Sequence, residues 1–352
     1  MNKLKVKINI NIVIILSVIT LYGCSKDDIP STATLNKVTF KIEEDGLDDN
    51  VLFNPQDKLI YYFTYNKNYS GIVTDYKINA FNYELKEITA QRTIKGVYNT
   101  TQPTNAIGIY NNQMELYLFR GDKLTILDPI DLTEISSFTI PDSFISSVQI
   151  KDGLLFISHQ VYYEKFVSVY NRQNFTLISQ AGDPEYNPNY GYLLVYRDIF
   201  NENQLKCASF PRYTNKDFFH EFVFDNQGNY LDFTLGSGSY NGLTKTNDNV
   251  DFILTGEKGI IHQKSNLWIS NKPELDNVNV FEDYFINENG TFIYSIQNDS
   301  SINRYNASTF TLEESLPINE NGRRIFVDEN QLIIFDYMGY RSIDVSFSFY
   351  QY

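Results

Sequence analysis

Residues 170–177 read YNRQNFTL and residues 305–312 read YNASTFTL. Each opens on an aromatic residue and an asparagine, passes through three turn-forming residues, and ends on Phe-Thr-Leu. INAFNYEL (78–85) and LDPIDLTE (127–134) line up with them without gaps, and FDNQGNYL (224–231) lines up with one extra residue. An Asn or Asp side chain can bond the backbone two residues on and start a turn. The pattern therefore reads as a hairpin between two strands, repeated along the chain.

Ile269-Ser270-Asn271 and Ile343-Asp344 are weaker copies. The equivalent positions Ile78, Leu127, Tyr170, Phe224, Ile269, Tyr305 and Ile343 are separated by 49, 43, 54, 45, 36 and 38 residues, a mean of about 44. That period is the length of one four-stranded propeller blade. The runs between the copies agree. FISSVQI, LLFISHQ and KFVSVY are apolar segments bounded by Asn, Asp and Gly, which marks strands, and no long stretch after residue 24 has a helical period. The expected fold is all-β: one β-propeller of seven four-stranded blades. Six or eight blades are the alternative counts, because the fifth unit matches poorly and the fourth is long. A two-domain β-sandwich is the competing architecture.

The last unit ends at Tyr352 one outer strand short, and LNKVTFKI (35–42) is strand-like and unassigned. It is expected to complete the last blade beside residues 341–349, so that the ring exposes no full-width edge. The propeller domain then spans residues 35–352.

Upstream, Lys3, Lys5 and Lys7 precede an apolar run from Ile8 to Tyr22. A short basic segment before an apolar core is the anatomy of a secretory signal peptide. Leu21-Tyr22-Gly23-Cys24 resembles the lipobox of bacterial lipoproteins. The resemblance implies that residues 1–23 are removed, that Cys24 carries lipid, and that residues 24–34 tether the domain to membrane. Several acyl chains give stable anchoring where one is marginal. Ser25-Lys26-Asp27-Asp28 resembles the short lysine-plus-acid tag that carries some Gram-negative lipoproteins to the outer face of the outer membrane. An outer-membrane, surface-facing location is the expectation, with the periplasmic face as its alternative and an uncleaved membrane anchor as the other reading of the leader.

Composition narrows the function classes. The formal charge is −14, which disfavours nucleic acid and anionic headgroups. With Cys24 lipidated, only Cys207 is left, so no intrachain disulfide is expected; in LKCASF it reads as a small buried residue. His159, His220 and His262 stand apart, with no ligand spacing for a metal, and EEDGLDDN (43–50) lacks the alternating acids of a calcium loop. Neither a metal nor a cofactor is expected.

The tryptophan–aspartate pairs, kelch glycines, sialidase Asp-box and stacked tryptophans of several propeller families are missing. FVFDNQGNYLDFTLG (222–236) does resemble the Asp-x-x-Gly hairpins of NHL-like propellers and of a six-bladed lipoprotein family, over one blade.

Two function classes follow. Propellers present two loop-lined faces suited to holding a protein or a glycan. The aromatic segments HQVYYEK (159–165), DPEYNPNYGY (183–192) and FPRYTNKDFF (210–219) then offer His159, Tyr162, Tyr163, Tyr190, Arg212 and Tyr213 as a binding patch on adjacent blades. The partner would be an envelope protein or extracellular polysaccharide. The alternative is a polysaccharide-cleaving enzyme. A lyase needs a Tyr or His base and a cation, for which His159, Tyr162 or Tyr163 and Arg172 are available; a hydrolase needs two carboxylates. A pocket gathering a His or Tyr, an Arg and a carboxylate would separate the classes.

Overall fold

The computed structural model describes residues 36–351, apart from 71–72, 96–103, 162–163, 183–189, 199, 212–217, 238–243, 257–258, 266–273, 276–280, 298–300, 319–321, 330 and 340–342. Every regular element among them is a strand. The chain opens with β1 (Asn36–Ile42) and then builds seven antiparallel sheets in succession, the blades of one propeller.

Blade one is β2 (Gly46–Asn54), β3 (Leu59–Lys67), β4 (Val73–Asn82) and β5 (Glu87–Lys95). Blade two is β6 (Thr104–Tyr110), β7 (Gln113–Arg120), β8 (Lys123–Leu127) and β9 (Glu134–Thr139). Blade three is β10 (Ser143–Lys151), β11 (Leu154–Val161), β12 (Glu164–Asn171) and β13 (Leu177–Ala181). Blade four is β14 (Tyr190–Arg197), β15 (Gln204–Pro211), β16 (Phe218–Asp225) and β17 (Tyr230–Ser237).

Blade five has three strands among the described residues: β18 (Thr244–Lys245), β19 (Phe252–Thr255) and β20 (Ile260–Gln263). A single bridge from Ile260 to Glu274 marks the place of a fourth. The hairpin expected at Ile269-Ser270-Asn271 lies outside the described residues. Blade six is β21 (Phe281–Ile286), β22 (Phe292–Gln297), β23 (Ser301–Asn306) and β24 (Leu312–Pro317).

Blade seven is β25 (Arg324–Asp328), β26 (Gln331–Met338) and β27 (Ile343–Gln351), with β1 as its outer strand. Asn36 faces Phe349 and Ile42 faces Ile343 in an unbroken antiparallel register. The two ends of the chain thus close the ring in one sheet, as the unassigned N-terminal strand led us to expect. Phe40 of β1 packs edge-on against Phe81 of blade one at 5.4 Å, and Phe81 stacks on Phe347 at 3.9 Å.

The core lies between blades. Each pair of neighbours shares a buried apolar cluster: Tyr62, Phe81 and Phe347 between blades one and seven, for example, and Phe156, Cys207 and Phe224 between three and four. Cys207 is buried there, and burial raises its thiol pKa. The cluster between blades four and five is small among the described residues, with Tyr196, Ala208 and Ile253 at its centre.

The hairpin signature folds as an Asx turn. Asn171 Oδ1 accepts from the backbone N–H groups of Gln173 and Asn174. Asp128 does the same for Ile130 and Asp131, and Asn306 for Ser308 and Thr309. Each of these turns ends on an apolar residue at positive φ: Leu132 (φ 61), Phe175 (φ 56) and Phe310 (φ 61).

Three details of the repeat differ from the sequence alignment. In blade one the capping residue is Asn82, bonded to Glu84 and Leu85 N–H, so the first copy is Phe81-Asn82 and not Ile78-Asn79. The segment holds two apolar-Asn steps, and Asn79 sits mid-strand, buried and bonded to Gln91. The copy at Phe224 is one residue shorter, not longer: Phe224 faces Tyr230 across its hairpin, whereas Tyr170 faces Leu177. Gly228 (φ 87) makes this tighter turn, and a Cβ on it would meet Val169 of blade three at 2.9 Å. Finally, Ile343 opens β27, the third strand of its blade, and the outer strand beside it is β1, so no hairpin joins the two.

Candidate functional site

Strand order divides the connections between two rims. Turns from first to second and from third to fourth strand share one rim, called here the hairpin rim. Connections from second to third strand and from each blade to the next share the opposite, open rim.

The hairpin rim is tied to itself. Side chains there join blade one to two (Gln56 Nε2 to Asn112 O, 3.1 Å), five to six (Asn247 Nδ2 to Asn287 O, 2.9 Å) and seven to one (Lys58 Nζ to Asp328 Oδ2, 2.7 Å). Arg197 pairs with Asp152 between blades four and three, and Lys151 with Asp248 between three and five. Arg172, in the β12–β13 turn, donates to both oxygens of Glu115 on β7 at 2.8 and 2.7 Å. Both residues are buried, and the guanidinium lies 4.9 Å from the centre of the Tyr110 ring. A bidentate pair of this kind fixes geometry as well as charge.

Two further buried groups, Lys264 and His159, have their pKa lowered by burial. Lys264 donates from Nζ to the carbonyls of Asn247 and Val250 at 2.8 and 2.7 Å and lies over the Tyr196 ring. Burial lowers its ammonium pKa to about 8. His159 is buried in the middle of blade three, its Nε2 2.7 Å from Ser168 Oγ, and burial lowers its pKa to about 4.

The candidate binding residues therefore separate. His159 is packed within its blade and not displayed on a rim. Tyr190 opens β14, where its backbone faces Pro211, the last residue of β15. Tyr162, Tyr163, Arg212 and Tyr213 lie outside the described residues. The strand ends that flank them do share a location: Val161, Glu164, Tyr190, Pro211 and Phe218 all end or begin strands at the open rim of blades three and four. Arg172, weighed with His159 for a lyase, sits at the hairpin rim engaged by Glu115.

A recess of about 370 Å³ opens at the open rim between blades six and seven. Its walls include Glu282 of β21, Gln297 of β22, Arg323, and Asp336, Tyr337 and Met338 at the end of β26. The Arg323 guanidinium lies 4.4 Å from the centre of the Tyr337 ring, and its Nε is 3.8 Å from Asp336 Oδ1. Gln297 is buried and donates to Tyr305 Oη at 3.2 Å, which holds its carboxamide. Gly322 lets the segment lie close: a Cβ there would meet Ile334 at 2.6 Å and Ile296 at 2.8 Å.

These residues escaped the sequence reading because they come from four separated stretches. The available signal was polar residues at open-rim strand ends, in NGRR leading into β25 and DYMG at the end of β26. A tyrosine, an arginine and two carboxylates meet in this recess. Among the described residues, no three His, Cys, Asp or Glu side chains gather to hold a metal ion.

No family model matches the chain, and no curated protein matches it. Among solved structures it is similar to the Dos1 propeller, with a TM-score of 0.54 and 7% identity over 86% of this chain and 77% of that one. At that identity the likeness supports the propeller fold alone.

Proposed function

We propose that this chain is a surface-facing outer-membrane lipoprotein whose propeller is a non-catalytic binding or scaffolding module, with the open rim as its working face. The recess and the strand ends gathered at the open rim carry the reading. On the hairpin rim, charged side chains are engaged across blade boundaries and the Asx turns are capped. The open rim holds the recess at blades six and seven and the strand ends flanking the three aromatic segments of blades three and four.

The path of the chain supports the same face. β1 enters the ring at Asn36 on the hairpin rim, since it runs antiparallel to β27. The segment that carries Cys24 therefore joins the ring on the rim opposite the open one. The ligand is an envelope protein or an extracellular glycan. Tyr162, Tyr163, Tyr190, Arg212 and Tyr213 form one contact patch under this reading, and His159 supports it from within the blade.

Affinity isolation of the tagged lipoprotein from gently solubilised membranes, with quantitative mass spectrometry, tests the proposal. A near-stoichiometric partner, or polysaccharide retained by the purified protein, is expected. Either should be lost when Tyr162, Tyr163, Arg212 and Tyr213 are replaced by alanine and kept when Gln173 and Ile130 on the hairpin rim are replaced. Loss through the hairpin-rim changes alone would overturn it. Labelled palmitate should enter the wild type and not Cys24→Ser.

The recess gathers a tyrosine, an arginine and carboxylates, the combination set out above for an enzyme, and so favours one second reading, polysaccharide cleavage. Tyr337, Arg323, Glu282 and Asp336 are the residue types that polysaccharide cleavage uses. New reducing or unsaturated ends after incubation with polysaccharide would establish it.

A further inference from the structure

We infer that the recess between blades six and seven is a subsite for an uncharged sugar residue, bound through Glu282, Arg323 and Asp336. The inference rests on the open rim being the working face and adds the ligand's chemical class.

The size is suitable: about 370 Å³ falls in the lower part of the range for small-ligand pockets, roughly 300–1,000 Å³. The donor and acceptor content is more specific. Ionised carboxylates only accept hydrogen bonds and a guanidinium only donates them. A sugar hydroxyl does both, so neighbouring hydroxyls can donate to Glu282 or Asp336 while accepting from Arg323. The guanidinium is held for this by the Tyr337 ring beneath it and by Asp336 beside it.

Charge then selects among sugars. Two carboxylates face one guanidinium in the recess, and that guanidinium already has a carboxylate neighbour. Arg324 does not wall the recess; its Nη1 donates to the Arg323 carbonyl at 2.6 Å. The whole chain adds a formal charge of −14. A uronate would bring a further negative charge into this field.

Saturation-transfer NMR on the detergent-solubilised full-length chain tests the inference. The probes are methyl glycosides of the gluco, galacto, manno and xylo series, with methyl glucuronide and methyl galacturonide beside them. At least one neutral glycoside should bind, and Arg323→Ala should weaken it about tenfold or more. Glucuronide and galacturonide should bind at least tenfold more weakly, with Glu282→Gln narrowing the gap. Glu282 is exposed, so its substitution leaves the fold intact. Should Arg323→Ala unfold the domain, Met338→Trp narrows the mouth from an exposed position (68% accessible) and should reduce binding similarly.

Equal or tighter uronate binding, no neutral signal, or a signal indifferent to both recess variants would overturn the inference. A partner protein captured by the open rim without glycoside binding would sink the sugar subsite and leave the binding-module reading standing. Loss of both would remove the reading too.

Discussion

Asp283 Oδ2 accepts a hydrogen bond from the backbone N–H of Ile325 across 3.2 Å, joining the first strands of blades six and seven. The same carboxylate lies 3.4 Å from Lys245 Nζ on the first strand of blade five. One residue therefore bridges three consecutive blades. Ser147 Oγ plays a smaller version of this part for Leu193 N–H between blades three and four. Replacing Asp283 by alanine leaves a buried N–H without its acceptor, a cost of about 2–3 kcal/mol. Asp283→Asn keeps an acceptor oxygen and should lose less than half as much. Urea midpoints for the two variants check the order; equal losses would show that the bond to Ile325 is not what matters.

Ring closure makes a sharper demand. β1 alternates exposed and half-buried residues, and Phe40 is the side chain it puts between Phe81 and Phe347. Phe40→Ala should cost about 2 kcal/mol, below the range for a fully buried phenylalanine because Phe40 is only half-buried. Thr39→Ala, on the exposed face of the same strand, should cost under about 0.5 kcal/mol. Thermal denaturation of both checks whether closure depends on this contact.

The fold was readable because its repeat has a local cause. An Asn or Asp that caps a turn must sit at a fixed place beside it, so the pattern survives in a single sequence. The same logic misled at Ile78-Asn79, where an asparagine of identical appearance serves the blade interior instead. The Ile343-Asp344 match failed for a topological reason, since the outer strand of that blade is β1 and no hairpin follows β27. The recess had no such signature. Glu282, Arg323 and Asp336 become neighbours only when the sheets of two blades are packed face to face. Nothing in their local sequence requires it.

The turn-ending positions give a test of strain against burial. Lys86 and Leu132 share one backbone conformation (φ 58 and 61), in which a side chain is disfavoured. Lys86 is half-buried, whereas Leu132 is 1% exposed. Lys86→Gly should change stability by less than about 1 kcal/mol, the relief of strain offsetting the lost contacts. Leu132→Gly should lose about 3 kcal/mol, because a buried leucine's contacts outweigh the backbone relief. Equal effects in denaturation would mean that the conformation alone decides.

The Arg172–Glu115 pair separates stability from ligand binding. Arg172→Met strands a buried carboxylate and should cost about 3–5 kcal/mol, while the double variant Arg172→Met with Glu115→Leu should recover much of the loss. Both groups lie at the hairpin rim, so at a temperature where the variants stay folded, ligand capture should be unchanged. A folded double variant that no longer captures its ligand would place the working face on the wrong rim.

His159 supplies an acid limb to stability. Its ring is 3% exposed, and burial lowers its pKa from 6.5 to about 4. Between those values the unfolded chain binds a proton that the folded one does not, so stability rises with pH across this window. The contribution is fully present above about pH 6.5 and is lost as pH falls through about 4. A shift of this size corresponds to about 3 kcal/mol at most. Carboxylates also titrate near the lower end, so the reading is the difference between wild type and His159→Gln. Urea midpoints taken from pH 7 to pH 4 should fall more steeply for the wild type. Parallel curves would mean that the imidazole takes up its proton in the folded state as readily as in the unfolded one, through rearrangement around Ser168.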